Sequence, residues 1–172
     1  MPKKILISGP ESTGKSSLTR ALADYFDSPF VNEYAREYLD QLHRPYKKED
    51  LNEIAKSQIK MEDLALKTSS ELLLIDTDLT VIHIWSQEKY GSTDPWILEE
   101  IQKRAYDLYL IPDIDLEWSF DPQRENPNDR ERLLKLYQNS FKQRNISYHM
   151  VRGEGDERVQ NAIEIIKREL NV

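Results

Sequence analysis

The sequence predicts an α/β sandwich built on a parallel five-stranded sheet, and two observations carry that prediction. Short, continuous apolar runs alternate with longer amphipathic stretches, the pattern of strands buried on both faces and joined by helices. The first run leads directly into Gly9-x-x-x-x-Gly14-Lys15-Ser16 and then into apolar residues at helical spacing. A glycine-rich turn between a strand and a helix is a phosphate-gripping arrangement.

Taken in order, the strands are expected at Lys4–Ser8, Pro29–Asn32, Glu71–Asp76, Leu108–Ile111 and Ser147–Val151. Helical periodicity covers Lys15–Tyr25, Tyr34–Leu42, Asp50–Ser69, Leu79–Glu88, Pro95–Arg104, Asn128–Arg144 and Asp156–Leu170, joined by right-handed crossovers. One stretch resists regular structure: Pro112 to Asp129, with three prolines and many acids. A long irregular segment in a compact domain is usually functional. We read residues 112–130 as a lid that enters a helix, with Asn126 as its cap and Pro127 in its first turn. A plain surface connection is the alternative.

The 172 residues suffice for one domain with a full core. The net charge of −7 argues against nucleic acid and anionic membranes as partners. There is no cysteine, so disulfides, thiolate metal sites and cysteine catalysis are excluded. That composition fits a reducing compartment, and a cytoplasmic location is expected. No apolar run is long enough to span a bilayer. The opening residues MPKKILISG hold no signal-peptide stretch. Nothing selects an oligomeric state.

The chemistry of the loop follows from its residue types. Successive backbone N–H groups can converge on a phosphate, and Gly9 and Gly14 allow the positive φ and close approach this needs. Lys15 is placed to reach the β- and γ-phosphates of a nucleotide, and the Ser16 hydroxyl to ligate Mg²⁺. The third strand ends in Asp76-Thr77-Asp78. A carboxylate at the end of a neighbouring strand holds Mg²⁺ in such folds. Asp76 takes that role here, and Asp78 a catalytic one. Either acid can instead cap the next helix.

Glu33 stands where the second strand gives way to a helix, at the sheet edge where α/β folds bind ligands. It is placed to orient an acceptor hydroxyl and take its proton. Arg36 lies one turn on, so the two can form a polar pair over the acceptor, or an ordinary surface ion pair. The irregular segment supplies Arg124 and Arg130 as lid cations for the transferring phosphate, while Arg132 falls outside. Trp85, Tyr90 and Trp96 lie in a stretch able to line the acceptor pocket. Helical spacing favours the core for such aromatics, and Trp85 is the pocket candidate. His43, His83 and His149 show no ligand spacing, and His83 reads as a packed helix residue.

Six blocks occur in order: GPESTGKS, EYAREYL, LIDTD, WSQEKYG, YDLYL and EWSFDPQR. Together they resemble the kinase domain of the NadR-type bifunctional NMN adenylyltransferase/ribosylnicotinamide kinase family, and its stand-alone relatives among AAA-like P-loop proteins. The resemblance runs from Lys4 to about Arg158. It implies a P-loop NTPase fold like that of nucleoside and nucleotide kinases, with strand order 2-3-1-4-5. It implies ATP and Mg²⁺, and transfer of the γ-phosphate to the 5′-hydroxyl of nicotinamide riboside, giving NMN. Carried over, the loop from Gly9 through Glu11, Ser12, Thr13, Gly14, Lys15 and Ser16 to Ser17 binds the ATP phosphates. Glu33 and Arg36 face the acceptor, Asp76 and Asp78 sit at the metal and sugar, and Arg124 belongs to the lid. In this fold the loop after the last strand borders the adenine, which brings in Arg158.

Three departures stand out. The family's adenylyltransferase and helix-turn-helix domains precede its kinase, so adenylylation and operator binding are not expected of this chain. Asn32 replaces a tryptophan, removing one aromatic face for a pyridinium ring. Phe120 and Pro122 stand where an acid and a glycine are expected in the lid. Other acceptors therefore stay open: another nucleoside, or a monophosphate held by Arg36, Arg44 and Lys47. A regulatory protein that binds or slowly hydrolyses ATP is the remaining alternative.

Overall fold

A computed structural model describes residues 1–69, 71–120 and 128–172. The elements are β1 (Lys3–Ile7), α1 (Lys15–Tyr25), β2 (Phe30–Val31), α2 (Tyr34–Gln41), α3 (Lys48–Thr68), β3 (Leu72–Asp76), α4 (Leu79–Tyr90), α5 (Pro95–Lys103), β4 (Leu108–Pro112), α6 (Arg130–Gln143), β5 (His149–Val151) and α7 (Gly155–Leu170). The sheet is parallel throughout, in the order β2-β3-β1-β4-β5 that the family resemblance implied. Ile7 pairs in register with both Asp76 and Leu110. The turn after β1 and the carboxylate ending β3 therefore emerge side by side at one sheet edge.

Alternation along the strands divides the core. Ile5, Ile7, Leu72, Leu74, Leu108 and Leu110 pack with Leu18 and Leu22 of α1 and Ile163 and Ile166 of α7. Leu6, Leu73, Ile75, Tyr109 and Ile111 face the other way, against Phe141 of α6. A third apolar group joins α3, α4, α5 and α6 through Leu51, Ile54, Ile82, Ile97, Leu133 and Tyr137. It fixes these helices beside the strand ends, where they wall a cavity.

The element boundaries differ from expectation for readable reasons. α3 begins at Lys48, before the expected Asp50. The Asp50 carboxylate accepts the Lys47 backbone N–H at 2.6 Å, so the acid belongs to the third helical position, where it caps backward. α4 runs two residues past Glu88 and stops at Gly91, whose φ of 68° supplies the left-handed turn that ends it. β2 keeps only Phe30–Val31, as an edge strand paired with β3 alone. α6 starts at Arg130 behind Asp129. The expected cap Asn126 and first-turn Pro127 lie outside the described residues. Among the described residues no helix is long and apolar enough to cross a membrane.

Candidate active site

The turn after β1 is built by its own hydrogen bonds. Gly9 has φ of 144°, and a Cβ there would sit 3.3 Å from Ile111 Cγ2. Gly14, at φ 74°, opens α1, and a Cβ there would meet Leu116 at 3.2 Å. Glycine is demanded twice over, by the dihedral and by the close approach. The Thr13 hydroxyl donates to the Pro10 carbonyl at 2.9 Å, and so does the Lys15 ammonium, also at 2.9 Å. Lys15 is thus folded back over the loop it would release on meeting a phosphate.

Ser12 is a non-glycine residue at φ 57°, a conformation that costs about 1–2 kcal/mol. Its neighbours hold it there. The Ser119 backbone N–H donates to Ser12 Oγ at 3.0 Å, and Arg130 donates to the Ser12 carbonyl at 3.1 Å and to the Leu116 carbonyl at 2.8 Å. Residues 113–119 form a strap against the loop, and Arg130 ties strap to loop. Both of these Arg130 bonds go to backbone carbonyls. Arg130, expected as a lid cation over the phosphate, here holds the strap to the loop and is not among the residues lining the cavity.

Arg158 is placed in the same way. It is buried, and its guanidinium donates to the carbonyls of Thr13, Gly153 and Asp113 and pairs with the Asp115 carboxylate. These bonds fasten the phosphate loop to the ends of β4 and β5. Arg158 props the loop from beneath, and it does not line the cavity. Arg124 lies outside the described residues.

At the end of β3 the two acids part company. The Ser16 hydroxyl donates to Asp76 at 2.5 Å. A hydroxyl beside a carboxylate under a phosphate loop is a hard-oxygen donor pair of the kind Mg²⁺ takes, with phosphate and water completing its shell. Thr77 then adopts φ 72°, a rare conformation for a β-branched residue. Beyond this turn Asp78 is buried beside the end of β1. Asp78 accepts from Ser8 at 3.2 Å and from Thr80 at 2.7 Å, and Arg144 donates to Thr80 at 3.1 Å. Burial raises the Asp78 pKa, against the hydrogen bond from Thr80. Asp78, expected at the acceptor, is here buried between Ser8 and Thr80 and is not among the residues lining the cavity.

The cavity of about 670 Å³ runs from the phosphate loop, Gly9 to Ser17, to a second pocket lined by Glu33, Arg36, Tyr46, Trp85, Lys89 and Tyr137. That volume suits a small-molecule site. Glu33 sits at the junction. Its pKa is raised, chiefly by burial, with Lys15 opposing and Asp76 adding to the rise. The rings of Tyr46 and Trp85 lie 6.3 Å apart at 31° and form an apolar wall. Glu33, Arg36 and Trp85 are thus brought to one pocket. His83 stays in the packing of α4, its Nδ1 2.8 Å from the Thr93 hydroxyl. Sequence reasoning passed over Tyr46, Lys89, Tyr137 and Arg20. Arg20 follows Ser16 by four residues on α1 and is visible as a helix-face neighbour. Tyr46 sits in the short connection before α3, where no periodicity flags it.

This geometry defines a P-loop α/β protein with a second pocket facing the nucleotide-phosphate site. A model of the AAA domain family matches residues 4–158. The chain belongs to that family, and within it is a NadR-like P-loop relative. It is 26% identical to the trifunctional NAD biosynthesis/regulator protein NadR of Salmonella typhimurium, over 96% of this chain and 42% of that protein. The chain thus spans less than half the length of that curated relative. A crystal structure of NadR in complex with NR superposes with a TM-score of 0.85 at 22% identity, covering 99% of this chain and 51% of the other. Another, of NadR with NAD and AMP-PNP, gives 0.82 at 20% identity, covering 99% and 50%. The thymidylate kinase of Ehrlichia chaffeensis gives 0.64 at 15% identity, covering 97% and 98%.

Proposed function

We propose that the protein is a small-molecule kinase that transfers the γ-phosphate of ATP to the 5′-hydroxyl of a nucleoside-like acceptor, with nicotinamide riboside, giving NMN, as the first candidate. The observation that carries this is the single cavity joining the phosphate loop to a pocket with a raised-pKa carboxyl and an aromatic wall. The NR in one NadR complex and the AMP-PNP in another support the two ends.

The loop amides and Lys15 hold the ATP phosphates. Ser16 and Asp76 would hold Mg²⁺, which supplies neutralisation of charge on the transferring phosphoryl group. Glu33 orients the acceptor hydroxyl and takes its proton as the oxygen bonds to the γ-phosphorus. The bond from that phosphorus to the β–γ bridging oxygen breaks, and ADP leaves with the electron pair. Arg158, Arg130 and Asp78 act on the loop and not on the substrates. They keep the N–H groups aimed, which is where phosphoryl transfer gains most of its rate.

A monophosphate acceptor is less well supported. Arg44 is engaged with Asp50 at 2.7 and 2.8 Å, and neither Arg44 nor Lys47 lines the cavity. The test is ADP release from ATP and Mg²⁺ with nicotinamide riboside, ordinary nucleosides and monophosphates in parallel. Release that depends on the riboside is expected. Release with another acceptor keeps the kinase and replaces its substrate. ATP binding with no acceptor-dependent release overturns the kinase in favour of a regulatory ATP binder.

A further inference from the structure

The far end of the acceptor pocket carries a cation that the transfer chemistry does not use. Lys89, on the last turn of α4, places its ammonium 3.3 Å from the centre of the Tyr46 ring and 3.4 Å from the Tyr46 carbonyl oxygen. It lines the same cavity as Glu33 and Trp85. The neighbouring Glu88 lines the same cavity and is paired with Arg132 at 2.5 Å. No carboxylate among the described residues pairs with Lys89. The aromatic wall thus meets a positive charge that already sits on the face of one of its rings.

A cation on the face of Tyr46 uses the attraction that a positively charged acceptor ring would otherwise gain there. A second positive charge brought to this wall is repelled by the first, an effect that water screens because Lys89 is exposed. A negative substituent on the acceptor ring instead finds a charge-assisted hydrogen-bond donor. We propose that Lys89 is a specificity-determining residue, which adds affinity for acceptors whose ring carries an anionic group beyond what the same ring gains without one. Among pyridine ribosides this favours the ring carboxylate over the ring carboxamide. The inference rests on the acceptor pocket assigned under the proposed function and narrows it.

The experiment compares kcat/KM for nicotinic acid riboside and nicotinamide riboside in the unaltered protein and in Lys89→Met, with Lys142→Met, far along α6, as the control for lost surface charge. The expected result is a preference for the acid that falls about tenfold in Lys89→Met and holds in Lys142→Met. A ratio that Lys89→Met leaves unchanged, with both ribosides still phosphorylated, overturns the role of Lys89 and leaves the kinase standing. Phosphorylation of ordinary nucleosides but of neither riboside overturns the pyridine acceptor and this inference with it.

Discussion

The two ends of the cavity are made by different means. The phosphate end is mostly backbone: loop amides, two glycines and carbonyls held by Lys15, Arg130 and Arg158. The acceptor end is lined by residues brought from the start of α2, the connection before α3, α4 and α6. A backbone site tolerates exchange of surface side chains and fails when its supports go. A side-chain site fails piecewise, one contact at a time.

The largest effect should separate chemistry from support at the phosphate end. Lys15 holds only a carbonyl within its own loop, so Lys15→Ala should leave the fold intact, seen as an unchanged melting temperature. Turnover should drop by roughly a thousandfold, because the charge on the transferring phosphoryl group loses its nearest cation. Retained turnover would break the assignment of this loop to ATP.

Glu33, at the junction, comes next. Glu33→Gln should lower kcat by roughly a hundredfold with the KM for ATP little changed. Burial raises the Glu33 pKa above the usual 4.5, and a base works only when ionised. Activity should therefore climb with pH through that raised value, and the Gln variant should lose this acid limb. The same shift fixes the sign for stability. A carboxyl whose folded pKa is raised is best tolerated protonated, and its stabilising share is lost as pH rises through that pKa. At neutral pH the ionised group is therefore a burden, and Glu33→Gln should melt no lower than the parent. A variant that melts lower and keeps its kcat would make Glu33 a structural helix-start acid.

Arg158 tests whether support acts at a distance from substrate. Arg158→Lys keeps a buried cation but cannot donate to four separated acceptors. The KM for ATP should rise about tenfold while the KM for the acceptor stays put. An equal rise in both would mean that the whole sheet edge has loosened. At the other end, Tyr46→Leu removes half of the aromatic wall. It should raise the acceptor KM about tenfold and leave ATP alone.

This division also explains what could be read from the residues. The strands and the loop were legible because apolar runs, glycines and the Lys15-Ser16 pair signal within a few residues of one another, whereas the sheet order came only from the family resemblance. Asp76 and Asp78 could not be told apart that way. Two residues apart in a strand means the same face, and only the left-handed Thr77 separates them, a conformation no propensity for threonine announces. Arg130 looked like a ligand for phosphate because arginine is the usual cation there, and Arg158 looked like a neighbour of the adenine. The carbonyls that engage them lie far away in the chain, at Ser12, Leu116, Thr13 and Asp113. Tyr46 joins the acceptor wall only because α3 and α4 pack side by side.

Asn32 carries the smallest effect and the sharpest contrast with sequence-based expectation. It stands where a ring-stacking tryptophan is expected, yet it is exposed and does not line the cavity. What the structure uses at this position is the backbone: the Asn32 carbonyl accepts from Gln58 Nε2 at 3.2 Å, while Gln58 Oε1 accepts the Tyr34 N–H at 2.8 Å. That pair of bonds sets the start of α2, and with it Glu33. Asn32→Ala keeps the carbonyl and removes only solvent-facing atoms, so the KM for the acceptor should move by less than about twofold and the unfolding free energy by less than roughly 0.5 kcal/mol. Gln58→Leu, which cuts both bonds, should instead lower kcat by displacing Glu33. An Asn32→Ala variant with a sharply raised acceptor KM would mean that the acceptor ring lies over β2, and the wall of Tyr46 and Trp85 would lose its role.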